Sequence, residues 1–396
     1  MWEELNHPLE MFGKVRYKTA KEAESHAGES GALVAAVKVA QARRAQFEIM
    51  MDPDNAKKDL SETLKTKKKV SNVLDKSAPV VPFVYMVHKR TDYLKIALDT
   101  LLASDLDREL VPLIISHDGR VPEVVSYVEQ LKIEYNVIQL FHPHSCFDHP
   151  DSFPGNDEEL NEGYGGDSFG NPRAGTVTCC RHHFTWMIKT VFDMEFPGLV
   201  DVDAFLFLEE DYVVSPTIYE TVLSGLSLYR KMSKDDDDDD GYFGVTLEGR
   251  PPQDDRNDEF PEEGWEMKSF TSGPMVLTRD MWKRFQQNAQ EYCTYDDYNW
   301  DWAVVHLMDK GLLPSRVLYP NEPQVMHIGI DGGLHGGRVA RWQLYKVLHT
   351  PFPGPFHGTK FVGTKQVPLP KSESKMFGGW GHPADHEHCL KILQGR

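Results

Sequence analysis

The apolar run Phe205-Leu206-Phe207-Leu208 stops abruptly at Glu209-Glu210-Asp211. A run of that length reads as a buried strand, and its end delivers hard oxygen ligands to the carboxyl edge of a sheet. Such oxygens suit Mg2+ or Mn2+, and a divalent ion at a sheet edge can hold a diphosphate. The plainer reading is a solvated acidic turn, with Glu209 and Glu210 as structural support. A candidate nitrogen ligand is His327, in Val325-Met326-His327-Ile328-Gly329, with His335 a weaker one. Imidazole favours Mn2+ over Mg2+, although a lone histidine is more often a hydrogen-bonded core residue. Asp301, in Asn299-Trp300-Asp301-Trp302, could take a proton from an attacking hydroxyl. Its flanking indoles would desolvate it and raise its pKa. Asp296 and Asp297 are rivals. On a helix Asp297 and Asp301 stand at i and i+4 on one face, yet Asp297 also fits a helix N-cap.

The elements that must carry these groups alternate. Residues 82–87, 111–115, 137–141 and 205–208 read as strands. Helical spacing covers 93–103, 121–135 and 181–193, with further helices from Pro216 and over 280–290 and 300–310, and a strand near 242–247. Alternation of this kind means an α/β protein with a doubly wound, mostly parallel sheet. Right-handed crossovers then bring the strand-end loops to one edge. Residues 142–180 read as a long irregular segment and 351–370 as a wrapped loop rich in Pro and Gly.

Composition narrows the function. The formal charge of −18 argues against a nucleic-acid partner, which would want a basic face. Asp235 to Asp240 is a block of like charges expected to form a solvated, dispensable loop. Residues 1–78 are rich in Ala, Lys and Glu and read as a polar helical or stem-like segment. No stretch is apolar for long enough to span a membrane, and no signal peptide is visible at the start. The five cysteines, Cys146, Cys179, Cys180, Cys293 and Cys389, are an odd and sparse set. They do not describe a disulfide framework, and they lack CxxC spacing.

Several strings occur in one order: Val87-His88-Lys89-Arg90, Ser116-His117-Asp118, Phe153-Pro154-Gly155, Asp167-Ser168-Phe169-Gly170, His182-His183 and the acidic triplet. They continue with Cys293-Thr294-Tyr295-Asp296-Asp297-Tyr298-Asn299-Trp300-Asp301-Trp302 and Gly378-Gly379-Trp380-Gly381 followed by Asp385-His386-Glu387. Over roughly residues 80–396 this resembles the N-acetylglucosaminyltransferase II family. The resemblance implies a GT-A fold in a catalytic domain over 79–396, with a nucleotide-sugar half, 79–212, and an acceptor and catalytic-base half, 213–396. It implies UDP-GlcNAc as donor, Mn2+ as cofactor and an N-glycan on a glycoprotein as acceptor. Inverting transfer would make a β-1,2 link to the α-1,6-arm mannose. Family members work in the Golgi lumen as membrane-anchored proteins, whereas this chain shows no anchor.

By matching position, Asp211 and His327 would hold the metal and Asp301 would be the base. Val87, His88, Lys89 and Arg90 would contact the nucleotide and Asp118 the uridine. Cys179, Cys180, Arg181, His182 and His183 match a further donor segment, and Arg250 matches a substrate-binding arginine. Cys293 and Cys389 match disulfide cysteines whose usual partners are absent here, which leaves a bridge between the two open. Trp265 and Trp380 could stack on sugar faces or lie in the core. Two alternatives differ in legible ways. The related α-1,3-arm enzyme carries Glu-Asp-Asp where this chain has Glu-Glu-Asp. A non-catalytic glycan-binding relative would be expected to have lost Asp211, Asp301 or His327.

Overall fold

Alternating burial organises the centre of the protein. Strand β1 (Phe83–Val87) sends Phe83, Tyr85 and Val87 into one apolar core and Val84 into another. That is the period-2 consequence of a sheet covered on both faces. The computed structural model describes residues 80–133, 135–196, 199, 202–235, 241–248, 265–269, 273–297, 299–320, 323–329, 347, 361–364 and 377–395. Segment 1–78, Arg250, His335 and residues 236–240 of the acidic run lie outside the described residues.

Helix α1 (Thr91–Leu102) buries Leu94, Ala97, Leu98 and Leu101 against the first core. Strand β2 (Leu113–His117), helix α2 (Pro122–Leu131) and strand β3 (Val137–Phe141) follow. The short α3 (Glu158–Asn161) and the long α4 (Gly175–Asp193) lead to β4 (Ala204–Glu209). These four strands are parallel and ordered β3-β2-β1-β4. The chain therefore reverses its direction of winding between β1 and β4, and ligands of open α/β sheets bind at the carboxyl ends beside such a switch. The residues at that point are His88 to Arg90 and Glu209 to Asp211.

Beyond β4 the sheet changes character. After β5 (Tyr212–Val214), α5 (Ile218–Asp235), β6 (Gly244–Thr246) and β7 (Trp265–Ser269), strand β8 (Met275–Thr278) runs antiparallel to both β4 and β6. Helices α6 (Arg279–Gln287), α7 (Ala289–Thr294) and α8 (Trp300–Asp309) precede β9 (Arg316–Pro320), β10 (Val325–His327), β11 (Phe361–Thr364) and α9 (Pro383–Gln394). The nine-stranded order is β11-β7-β9-β6-β8-β4-β1-β2-β3, with β5 and β10 paired in a separate two-stranded sheet. This is a doubly wound sheet with one reversed strand beside β4. It continues across the expected 212/213 division, because β8 pairs with β4. The second core packs α4 and α6 to α9 on the face opposite α1, α2 and α5.

Three expectations need correction. Helix α4 begins at Gly175, not near Arg181. Its first residues, Gly-Thr-Val-Thr, are weak helix formers, and tertiary contacts override them. The 351–370 segment contains strand β11, paired with β7, so it is not wholly loop. Asp297 is not a helix residue or the cap of α8: Asn299 is the N-cap, and its side chain accepts the Trp300 N–H at 2.7 Å. No helix among the described residues is long and apolar enough to cross a membrane.

Candidate active site

Strand β4 delivers the acidic triplet to the switch point, and the chain folds it inward there. Glu210 is 2% exposed and Asp211 0%. Two buried carboxylates in one turn need partners, and the loop after β1 supplies them. Arg90 Nε donates to Glu210 Oε1 at 2.6 Å, and its Nη2 lies 2.7 Å from Asp211 Oδ2. From the other side, β10 pairs with β5 in the register His327 to Tyr212. That register brings His327 Nε2 to 3.0 Å from the same Asp211 Oδ2. The Ile328 N–H donates to the Asp211 carbonyl at 2.9 Å. Gly329 has no spare room, since a Cβ there would sit 2.0 Å from Asp211 Oδ2.

Electrostatics follow from this packing. Burial raises the Asp211 pKa, but His327 and Arg90 more than offset it and hold the carboxyl below its usual value. His327 loses solvation, which lowers its pKa, yet the Asp211 and Glu209 charges raise it overall. Glu209 is pushed up to about 7 by burial and by Asp211, with Asp301 adding to the push. Tyr212 is also raised, first by burial and then by Glu248, Glu209, Asp211 and Asp301. Asp301 therefore shares its field with the strand-end carboxylates. It lies in the first turn of α8. Both flanking indoles meet the second core: Trp300 is buried and stacks on Phe184 with ring centroids 4.0 Å apart, and Trp302 is half-buried against it.

A metal fits the Asp211–His327 pair. Asp211 Oδ1 is buried and has no hydrogen-bond partner among the described residues, an unusual state for such an atom. The 3.0 Å between Nε2 and Oδ2 is about the edge that neighbouring ligands of an octahedral ion span with ~2.1 Å bonds. One carboxylate oxygen and one imidazole suit Mn2+. No cluster of three or more metal-ligating side chains occurs among the described residues, so phosphate and water oxygens would complete the shell.

The ends of β1 and β2 form the neighbouring wall. The Asp118 N–H donates to the Val87 carbonyl at 2.8 Å. The Asp118 carboxylate meets His88 Nδ1 at 3.0 Å and His142 Nδ1 at 3.2 Å. Burial alone would raise its pKa, yet His142 and His88 hold it well below the carboxylate range. His183 backs this group: its Nε2 pairs with Ser116 Oγ at 2.9 Å, and its ring stacks on His142. Lys89 is exposed. Cys180 is the single free cysteine, and its thiol is pushed up by burial, by Glu209, and by Asp118 and Asp301.

Other residues expected at the site do different work. Cys179 is bonded to Cys146, so it offers no thiol. Arg181 is fully buried between the rings of Tyr292 and Trp380 and donates to the carbonyls of Tyr292 and Tyr295. His182 Nε2 pairs with Asp385 Oδ1 at 2.8 Å, and Asp385 also receives Arg173 Nε at 2.6 Å. His182 thus braces α4 against α9, and Arg181 braces it against α7. Trp380 is fully buried and donates to the Cys293 carbonyl at 2.7 Å, so it is core. Cys293 and Cys389 are bridged, which joins α7 to α9. The Trp265 side chain lies outside the described residues. His142 and Asn299 are the site residues that sequence reasoning missed. A histidine directly after β3 and an Asn before a Trp-rich helix were the available signals.

The chain is similar to several known proteins. The profile of N-acetylglucosaminyltransferase II (MGAT2) matches residues 53–389. The chain is 29% identical over 360 residues to the Sus scrofa α-1,6-mannosyl-glycoprotein 2-β-N-acetylglucosaminyltransferase, covering 84% of this chain and 76% of that protein. It is 30% identical over 275 residues to the Arabidopsis thaliana protein of the same name, covering 65% and 60%. Among solved structures, a mannosyltransferase from Pyrobaculum calidifontis in complex with GDP-Man and Mn2+ matches at 10% identity. That match covers 63% of this chain and 59% of the other, with a TM-score of 0.34.

Proposed function

The chain belongs to the N-acetylglucosaminyltransferase II family, and from that membership we propose that it transfers GlcNAc from UDP-GlcNAc to the α-1,6-arm mannose of an N-glycan, in β-1,2 linkage and with inversion. The observation that carries the reading is the 3.0 Å approach of His327 Nε2 to Asp211 Oδ2 at the β1/β4 switch point. Asp211 and His327 would hold Mn2+, which when bound would neutralise the diphosphate that leaves. Asp301 accepts the proton of the mannose 2-hydroxyl as its oxygen attacks the anomeric carbon and the bond to UDP breaks. Asp118, held by His88 and His142, would receive the uridine, and the segment Val87 to Arg90 would contact the nucleotide. By family likeness the reaction belongs to the lumen of the secretory pathway, in the Golgi.

The test is direct. The protein is incubated with UDP-GlcNAc, Mn2+ and an N-glycan whose α-1,6-arm mannose is unsubstituted, and the product linkage is read by NMR. The expected product carries β-GlcNAc at O2 of that mannose, and chelation of the metal stops its formation. An α-linked product, a product on the α-1,3 arm, or undiminished transfer in EDTA would contradict the proposal.

A further inference from the structure

Glu210 turns toward the loop after β1. It is 2% exposed and receives three donors from the loop after β1. The His88 N–H donates to Oε2 at 2.8 Å, the Arg90 N–H to Oε2 at 3.4 Å, and Arg90 Nε to Oε1 at 2.6 Å. Arg90 is thereby held by its backbone and by one edge of its guanidinium. The same edge, through Nη2, also reaches Asp211 Oδ2 at 2.7 Å. Gly329 closes the remaining side, because a Cβ there would lie 2.8 Å from Arg90 Nη1. The guanidinium is fixed between two carboxylates, only one of which fits a metal.

We propose that Glu210 is a positioning residue that takes up the charge of Arg90 and so leaves Asp211 its negative charge for the cation. This rests on the reading of Asp211 and His327 as the metal pair. The charge count explains why the chain needs a second buried carboxylate. Arg90 contributes one positive charge, and Glu210 and Asp211 contribute two negative ones. With Glu210 matched to Arg90, one net negative charge remains beside His327. Without Glu210, Arg90 would balance Asp211 alone and a divalent ion would meet a neutral pair. At separations of 3 Å or so, one unit charge outweighs most other differences between variants.

The test measures Mn2+ binding to the protein alone by EPR titration, with no nucleotide and no turnover. It uses the wild type, Asp211→Asn, Glu210→Gln, Arg90→Met and the Glu210→Gln/Arg90→Met double variant. Asp211→Asn is expected to abolish the site. Glu210→Gln should raise the Kd about tenfold or more, and Arg90→Met should lower it by about as much. The double variant should return to within about threefold of wild type, because its charge balance is restored. A merely structural Glu210 would give no such restoration. If Glu210→Gln fails to fold, Arg90→Met decides: unchanged or weaker binding overturns the inference. Unaltered Kd in both single variants, with Asp211→Asn dead, overturns the inference and leaves the metal pair standing. Full binding by Asp211→Asn overturns both.

Discussion

Asp297 Oδ1 accepts the backbone N–H of Gly378 at 3.0 Å, tying the segment before α8 to the Gly-Gly-Trp-Gly turn. Its neighbour behaves alike: Asp296 Oδ2 accepts the Ser168 N–H at 3.1 Å. Both carboxylates therefore join chain segments, and Gly378 lies at a positive φ of 57°. Asp301, in the first turn of α8, is the one of the three whose charge acts on Glu209 and Cys180.

Removing Asp297 should cost stability more than chemistry. Asp297→Ala strands a buried N–H, at a cost of about 1–3 kcal/mol. Asn299→Ala, which removes the cap of α8, should cost about 1 kcal/mol. Denaturant melts of both variants check this. An Asp297→Ala protein of wild-type stability would show that the Gly378 bond has no weight.

The cysteine pairing is checked by thiol counting. Denatured but unreduced protein should show one reactive thiol, Cys180, and reduced protein all five. Cys389→Ala opens the bridge to Cys293, whose sequence separation is 96, and should lower stability by about 2–4 kcal/mol. Three or more free thiols in the unreduced protein would refute one bridge or both.

Much of this was legible in the sequence, and the gaps have physical causes. The parallel half was readable because buried strands there are continuous apolar runs and the helices keep their period. Strands β8 and β9 are four and five residues long and carry no periodicity of their own that distinguishes them. The roles proposed for Asp211, His327 and Asp301 rest on motif likeness, and the meeting of Asp211 with His327 depends on the β5–β10 register, which no local signal encodes. Cys179, Arg181 and His182 illustrate the converse. They sit in a motif expected to meet the donor, yet α4 turns their side chains toward Cys146, Tyr292 and Asp385. Sequence spacing does not reveal which face of α4 meets the C-terminal helix.

Acid should destabilise the fold through its buried histidines. His183 is pushed down to about 3 and His117 to about 4, in both cases first by burial. In the unfolded chain each titrates near pH 6.5. Between about pH 4 and 6.5 the unfolded state binds protons that the folded state refuses, so stability falls as pH falls through that window. Each group contributes a slope of up to about 1.4 kcal/mol per pH unit. Chemical denaturation at pH 5, 6 and 7 checks this, and His183→Gln should flatten the slope. A stability that rises on acidification would contradict the neutral burial of both rings.

The most direct test of the account is the kcat of Asp301→Asn at saturating Mn2+, measured beside the Kd for UDP-GlcNAc. General-base assistance is worth roughly 10²–10⁴-fold in rate, so kcat should fall by about that order. The donor Kd should stay near wild type, because Asp118, Asp211 and His327 stand apart from α8 on other elements. Near-normal kcat in Asp301→Asn would contradict the assignment of the base and, with it, the proposed direct displacement.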